Sequence, residues 1–165
     1  MFSHYLSSLI GAECRLLEII THEGRSACWL LENIAINENA HLVCIDAFEQ
    51  PNLKDNLEAS GRANRADVRI GLSRDVLRNL APNSFDFIYI DGYHGQVEVL
   101  EDAVLSFRLA KLGCLICFDD YLWDDPVHNA DGTPKIAIDA FTVIYRRKIE
   151  ISEYGRQVWI RKLSD

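Results

Sequence analysis

In the stretch Phe85-Asp86-Phe87-Ile88-Tyr89-Ile90-Asp91, an apolar run typical of a buried strand ends in an acidic residue. Two further runs have the same form, His41-Leu42-Val43-Cys44-Ile45-Asp46 and Cys114-Leu115-Ile116-Cys117-Phe118-Asp119-Asp120. A fourth run, at 16–19, carries Glu18 and leads into a turn that contains glycine. Ligands bind at the carboxyl edge of a parallel α/β sheet. The four runs therefore predict a site that binds hydroxyl groups, a metal ion or both.

Length and composition predict one ordinary globular domain. The chain has 165 residues, of which 48% are hydrophobic and 25% charged, enough for a single domain over 1–165 with a short lead-in at 1–14. The formal net charge of −8 argues against a nucleic-acid or anionic-membrane partner. Neither a membrane span nor a signal peptide is expected from the sequence. The five cysteines, mostly inside apolar runs, predict reduced thiols and a cytoplasmic protein.

Strand and helix patterns alternate along the whole chain. We predict five strands, at 15–20, 41–45, 68–71, 85–90 and 114–118. We predict five helices, at 24–33, 53–60, 74–80, 97–109 and 135–145, with Ser73 as an N-cap and Pro134 as a first helical residue. Strands at 149–153 and 157–162 form a closing hairpin. The fold class is therefore α/β, a doubly wound, Rossmann-like and mostly parallel sheet of seven strands with a C-terminal antiparallel hairpin.

Five short stretches, taken in order, resemble class I S-adenosylmethionine-dependent methyltransferases. The resemblance is to the small O-methyltransferase group with macrocin and catechol types, the methyltransferase family 24-like enzymes, and it covers about residues 15–162. It implies methyl transfer from S-adenosylmethionine to a hydroxyl of a small molecule, a sugar or a phenol. The stretches are Leu17-Glu18-Ile19-Ile20-Thr21-His22-Glu23-Gly24-Arg25-Ser26, Cys44-Ile45-Asp46-Ala47-Phe48, Gly71-Leu72-Ser73-Arg74-Asp75, residues 85–94, and Phe118-Asp119-Asp120-Tyr121-Leu122-Trp123.

The resemblance assigns the cofactor site to the first three stretches. Gly24 would allow close approach of the cofactor, and the Ser26 hydroxyl would reach its methionine end. Glu18 would shape the turn or lie near the ammonium group, while Asp46 would accept both ribose hydroxyls. The remaining cofactor positions are Thr21, Ala47, Phe48, and, beside the adenine, Leu72 and Ser73. The alternative is that Gly24 and Ser73 are only helix-start residues and Asp46 an ordinary turn residue.

One position departs from the family pattern. Ile20 stands where the family has a glycine, and a β-branched residue does not easily adopt a positive φ. The sequence therefore predicts a turn that runs differently, or a weakened or lost cofactor site. The alternative function is then a non-catalytic or regulatory module with the methyltransferase fold. A third hypothesis is an NAD-dependent oxidoreductase, but the chain lacks the G-x-G-x-x-G turn that is typical of that class.

Three acids are predicted to bind a divalent cation such as Mg²⁺. Asp91, Asp119 and Asp120 follow adjacent strands of the predicted sheet, and carboxylate oxygens suit a hard cation. Without a cation, three close carboxylates should raise one another's pKa values. By the resemblance, the metal would bind the substrate hydroxyl and orient it for attack on the methyl group. Asp91 is on this basis also a candidate catalytic residue.

His94, three residues after Asp91, is the predicted general base. The resemblance places a lysine of catechol-type enzymes at this position, and a histidine can accept a proton near neutral pH. The alternative is a loop histidine that is hydrogen-bonded locally. His22 and His128 are weaker candidates. The expected partners are a small hydroxylated substrate and, in a homo-oligomer, further copies of the chain.

Overall fold

The computed structural model of the protein describes residues 2–124 and 133–165, so that His128 lies outside the described residues. The chain consists of two compact units, Met1–Ser73 and Arg74–Asp165. Seven strands form a mixed, mostly parallel α/β sheet, which confirms the predicted fold class. In the described ranges, no helix is both long and apolar enough to cross a membrane. A single domain over 1–165 stays a prediction.

The first unit is a three-stranded parallel sheet with short helices. Its strands β1, β2 and β3 lie in the order β3-β2-β1, and Val43 of β2 has Leu17 and Asp67 as its two neighbours in the register. The apolar side chains of β1 and β2 are almost wholly buried, whereas β3 is largely exposed. The elements are α1 (Phe2–Tyr5), a 3₁₀ turn (Ser7–Leu9), β1 (Arg15–Ile19), α2 (Arg25–Asn33), β2 (His41–Asp46), α3 (Leu53–Ala59), a 3₁₀ turn (Ala63–Arg65) and β3 (Ala66–Ile70).

The second unit adds the C-terminal hairpin to a parallel strand pair. β4 pairs parallel with β5, β5 pairs antiparallel with β7, and β7 pairs antiparallel with β6. Inside the unit, the rings of Phe87 and Trp159 are stacked with their centroids 5.6 Å apart. The elements are α4 (Ser73–Arg78, which begins at the unit boundary), β4 (Phe85–Ile90), α5 (Gln96–Leu109), β5 (Ala110–Phe118), α6 (Pro134–Tyr145), β6 (Ile149–Tyr154) and β7 (Val158–Lys162).

Most differences from the predicted elements are shifts of one or two residues at their ends. Pro134 is the first residue of α6, as predicted. Ser73 is itself the first residue of α4 rather than the residue before it. β3 begins at Ala66, since parallel pairing with Leu42 extends the strand beyond its apolar stretch. β5 begins four residues earlier than predicted, because it follows α5 without a loop.

A buried lysine fastens the end of the chain to the second unit. Lys162 is 2% exposed, and its ammonium group donates to the carbonyl oxygens of Phe107 and Ala110 at 3.1 and 2.9 Å and to Oδ1 of Asn83 at 3.1 Å. Asp165 forms an ion pair with it at 2.7 Å. A buried charge is tolerated where it is paired and hydrogen-bonded in this way. Lys162 is therefore a structural residue.

Candidate active site

The turn between β1 and α2 contains three residues in the left-handed region. Ile20, His22 and Gly24 have φ angles of +64°, +50° and +86°. The N–H groups of Ile20 and Thr21 both donate to the carbonyl oxygen of Ile45, at 2.8 and 3.0 Å. Ile20 thus adopts the positive φ that its β-branched side chain disfavours, and two hydrogen bonds to β2 hold the turn in that conformation. A positive φ was considered from the sequence at Ile20 only, whereas His22 was considered as a weaker candidate base and its backbone conformation was not predicted.

Asp46 joins this turn to the loop that follows β2. Its Oδ2 accepts a hydrogen bond from the N–H of His22 at 2.7 Å, and its Oδ1 accepts from the N–H of Phe48 and from Nε2 of Gln50, both at 3.1 Å. The side chain is almost wholly buried. Asp46 therefore shapes the backbone around the predicted cofactor site. Ribose binding by Asp46 stays a prediction, and Gln50 is a participant that the sequence analysis missed.

Glu18 and Ser26 contact each other across the same turn. The Ser26 hydroxyl donates to Oε1 of Glu18, which is fully buried at the end of β1. Thr21 is also buried, whereas His22 is exposed. Glu18 thus contacts the first turn of α2, and its predicted roles in the cofactor site stay predictions. The Ser26 hydroxyl, by contrast, faces Glu18, so its predicted contact with the cofactor would be an additional one.

Gly24 is favoured by its backbone conformation and lies close to a side chain of α3. Its φ of +86° is disfavoured for residues with a side chain. A Cβ at this position would lie only 2.8 Å from Cδ1 of Leu53 in α3. The glycine therefore allows α2 and α3 to pack closely at the start of α2. Close approach of a cofactor to Gly24 is a prediction that this packing does not test.

Two predicted cofactor positions expose apolar surface, Phe48 after β2 and Leu72, the latter predicted to lie beside the adenine. Phe48 is 73% exposed and Leu72 is 48% exposed. Ala47 and Ser73 are half-buried beside them in the sequence. The N–H of Gly71 donates to the carbonyl oxygen of Asp46 at 2.8 Å, which brings the loops after β2 and β3 together. The first unit therefore presents exposed apolar side chains close to the Asp46 loop.

The second unit brings Asp91 and Asp119 together around a tyrosine. The Tyr89 hydroxyl donates to Oδ2 of Asp119 and lies 3.3 Å from Oδ2 of Asp91. Nε2 of Gln157 donates to the same Asp119 oxygen at 3.1 Å. Tyr89 lies in the apolar run that predicted a buried strand, and it is indeed buried, but its hydroxyl contacts both acids. Gln157 was missed because it belongs to the distant hairpin.

Asp91, Asp119 and Asp120 form an acid cluster in which the pKa of Asp91 is raised. Burial is the largest cause, and together with the negative charges of Asp119 and Asp120 it raises the pKa of Asp91 to about 6. Burial and the charge of Asp91 also raise the pKa of the Tyr89 hydroxyl, which therefore stays a proton donor. The raised pKa of Asp91 agrees with the expectation that close carboxylates oppose one another's ionisation.

His94 lies between a carboxylate and an aromatic ring. Its Nε2 is 3.0 Å from Oδ2 of Asp120, and its ring is stacked on Trp123 with centroids 4.5 Å apart and an interplanar angle of 16°. Asp120 itself has a positive φ of +52°. These contacts fix the plane of the imidazole ring. His94 is thus a hydrogen-bonded loop histidine with an oriented ring, and its role as general base stays a prediction.

The acids fit a hard cation by their chemistry but not by their arrangement. Asp119 is hydrogen-bonded by Tyr89 and Gln157, and Asp120 faces His94. Among residues 2–124 and 133–165, no group of three or more His, Cys, Asp or Glu side chains is placed to hold a metal ion. Metal binding by Asp91, Asp119 and Asp120 stays a prediction.

One known protein family matches more than half of this chain. The family described as a methyltransferase domain matches residues 17–121, which include the turn after β1, Asp46, the acid cluster and His94. The chain belongs to the methyltransferase domain family. The matched region begins in β1 and ends just after Asp120, so every predicted site residue of this methyltransferase domain lies inside it.

Two curated enzymes and one solved structure are similar to this methyltransferase domain. Caffeoyl-CoA O-methyltransferase 1 of Zea mays is 30% identical over 141 residues, which are 81% of this chain and 52% of the maize enzyme. Catechol O-methyltransferase of Mycobacterium tuberculosis is 28% identical over 150 residues, 89% of this chain and 64% of that enzyme. The chain thus spans between half and two thirds of the length of these relatives.

The solved structure is an O-methyltransferase from Bacillus cereus in complex with SAH. It is 23% identical in sequence, superposes with a TM-score of 0.74, and the match covers 96% of this chain and 79% of that one. At this level of identity the likeness shows the fold of the methyltransferase domain.

Proposed function

We propose that this chain is an S-adenosylmethionine-dependent O-methyltransferase that transfers a methyl group to a hydroxyl of a small molecule, a sugar or a phenol. The observation that carries the proposal is the hydrogen bond between Asp46 and the left-handed turn after β1. The names of the relatives, caffeoyl-CoA and catechol O-methyltransferases, and the SAH complex of the Bacillus cereus protein support it.

The first unit would hold the cofactor. The N-terminus of α2 presents backbone N–H groups and the positive end of a helix dipole, which suit the methionine carboxylate. Asp46 would accept the ribose hydroxyls in addition to the N–H groups of His22 and Phe48, since a carboxylate offers about four acceptor positions. The side-chain amide of Gln50 would give up its hydrogen bond to Oδ1 of Asp46 so that a ribose hydroxyl can take its place. The exposed side chains of Phe48 and Leu72 would cover the adenine.

The second unit would supply the base. If Nε2–H of His94 donates to Asp120, then Nδ1 is the nitrogen that accepts the proton. The acceptor hydroxyl would give its proton to Nδ1 as its oxygen attacks the sulfonium methyl carbon. The new O–CH₃ bond forms while the C–S bond breaks, and the electron pair of that bond stays on sulfur in S-adenosylhomocysteine. Asp120 would stabilise the imidazolium ion that results.

A divalent cation at Asp91, Asp119 and Asp120 is a separate part of the proposal. The preference of Mg²⁺ for oxygen ligands supports binding by three carboxylates. A bound cation would make the acceptor hydroxyl more acidic. Binding would require Asp119 to leave the hydroxyl of Tyr89. The proposal that His94 is the base therefore does not depend on whether a cation binds.

A non-catalytic module is not favoured. That alternative depended on Ile20 closing the cofactor turn, yet Ile20 takes up the positive φ angle. The hydrogen bonds from the turn to Ile45 and to Asp46 are formed around it.

The test is methyl transfer from labelled S-adenosylmethionine to a panel of phenols, catechols and sugars, with and without Mg²⁺. We expect His94→Gln to lower kcat by about a hundredfold or more, because general base catalysis contributes on this scale, while cofactor affinity is unchanged. His4→Gln, at an exposed histidine of α1, is the matched control. Full turnover by His94→Gln on the best acceptor would contradict the assigned role.

A further inference from the structure

The strand β3 (Ala66–Ile70) ends the sheet of the first unit. It is the terminal strand in the order β3-β2-β1 and has β2 as its neighbour. An edge strand presents backbone N–H and C=O groups that can pair with another strand. Edge strands usually carry features that prevent such pairing. Here the strand exposes apolar side chains, Val68 at 39% and Ile70 at 46%.

The two faces of β3 have opposite character. Alternation along a strand places Ala66, Val68 and Ile70 on one face and Asp67 and Arg69 on the other. The guanidinium of Arg69 contacts Oδ2 of Asp67 at 2.7 Å, and these side chains are 38% and 53% exposed, respectively. The strand therefore has one apolar face and one face with a single acid and a single base, two positions apart.

This pattern is complementary to itself in one antiparallel register. If Val68 lies opposite Val68 of a second copy, Asp67 lies opposite Arg69 of that copy, and Arg69 lies opposite its Asp67. In the same register Ala66 lies opposite Ile70. Every directly opposed pair is then either apolar with apolar or acid with base, and such pairs stabilise an antiparallel ladder. The four charges would alternate in sign around the axis of symmetry.

From this register we infer that β3 is a dimerisation edge, at which two copies of the chain join their sheets around a two-fold axis through Val68. Such an interface is isologous, so one self-complementary surface suffices. The partner is a second copy because Asp67 and Arg69 are spaced so that each lies opposite the other residue in that copy. The inference does not depend on the proposed function, since oligomeric state is measured without cofactor or acceptor.

A groove beside β3 supports the same occupant. It has a volume of about 700 Å³, and its apolar lining includes Pro51, Leu53 and Leu57 from the α3 side and Val68 and Ile70 from the strand. Directly opposed residues of an antiparallel pair project on the same face of the sheet. The Val68 and Ile70 side chains of the two copies would therefore cover one another between the two α3 helices.

The test uses charge reversal on the purified chain. Asp67→Arg gives the strand two bases, Arg69→Asp gives it two acids, and the double exchange Asp67→Arg with Arg69→Asp restores one of each. Asp75→Arg, at a residue of α4 whose side chain is 63% exposed, makes the same change in net charge as Asp67→Arg but away from β3. Sedimentation velocity over a concentration series measures the dimer dissociation constant, and circular dichroism checks the fold.

We expect wild type, the double exchange and Asp75→Arg to dimerise alike. Each single β3 variant should raise the dissociation constant roughly tenfold or more, because two opposed pairs become like charges. Mixing the two single variants should restore dimers as a heterodimer of Asp67→Arg with Arg69→Asp. A wild type that is monomeric throughout overturns the inference. A dimer that the single variants leave unchanged also overturns it, because its interface then lies on another face.

Discussion

The backbone N–H of His22 donates a 2.7 Å hydrogen bond to the carboxylate of Asp46, so the acid that ends β2 holds the turn that follows β1. The two residues are 24 positions apart in the sequence. A residue expected to contact the cofactor therefore also determines the shape of the cofactor turn.

Replacing Asp46 with Asn should weaken both the turn and the cofactor site. An amide has one acceptor atom, so the N–H of His22 or that of Phe48 would lose its partner, at a cost of about 1–2 kcal/mol. We expect a lower free energy of unfolding and weaker S-adenosylhomocysteine binding, measured by denaturant titration and calorimetry. Gln50→Ala, which removes only the third donor, is the control. Wild-type affinity in Asp46→Asn would exclude contact with the ribose.

Replacing Ile20 with Gly should stabilise the protein and tighten cofactor binding. A glycine at a φ of +64° avoids the steric cost of a β-branched residue, and we expect a gain of about 0.5–1 kcal/mol after lost side-chain contacts. Ile20→Ala keeps the Cβ and should be less stable than wild type. Thermal unfolding and calorimetry measure the two effects. A less stable Ile20→Gly variant would mean that side-chain packing, not backbone strain, governs this position.

The pH dependence of stability should report on Asp91. Its folded pKa of about 6 lies above its ordinary value of 3.8. Between these values the folded state binds more protons than the unfolded state, so this group's stabilisation is full below pH 3.8 and is lost as pH rises through 6. In chelator, Asp91→Asn should remove this loss and be the more stable protein at neutral pH. Parallel stability curves for variant and wild type would contradict it.

Removing the Tyr89 hydroxyl should test the metal proposal. Tyr89→Phe deletes the donor that holds Oδ2 of Asp119 and leaves that oxygen available to a cation. We expect tighter Mg²⁺ binding than in wild type and a lower stability in chelator, by about 1 kcal/mol. Calorimetric titration with Mg²⁺ measures the affinity, and Tyr93→Phe, at an exposed tyrosine of the same segment, is the control. If neither wild type nor Tyr89→Phe binds Mg²⁺, the metal proposal is wrong.

Replacing Lys162 with Met should destabilise the second unit. The ammonium group donates to two main-chain carbonyls and to Asn83, and these acceptors would stay buried without a donor. We expect a loss of about 2–4 kcal/mol, seen in denaturant titration. Lys148→Met, near the start of β6, is the matched control. Equal stability of the Lys162 and Lys148 variants would show that the buried contacts are weak.

Local patterns were sufficient to predict the elements of this fold. The apolar runs that end at Asp46, Asp91 and Asp119 are buried strands, and the helix that starts at Pro134 begins where its proline predicts. Strand ends were less predictable. Pairing with a neighbour extended β3 to Ala66, whose own side chain gives no strand signal.

The site was predicted in its parts but not in its contacts. The sequence identified His94 and Asp120 separately, yet their hydrogen bond and the stacking on Trp123 depend on how the loops after β4 and β5 meet. Gln157 lies 38 residues from Asp119, and no local pattern connects a hairpin residue to that acid. Such contacts follow from tertiary packing, which a single sequence does not specify locally.

We would first titrate the purified chain with S-adenosylmethionine and S-adenosylhomocysteine by calorimetry, in wild type and in Asp46→Asn. A cofactor site formed by the β1 turn and Asp46 predicts saturable binding of both compounds by wild type, with an affinity that the variant loses. No binding of either compound by wild type, with or without Mg²⁺, would contradict the assignment of this chain as an S-adenosylmethionine-dependent methyltransferase.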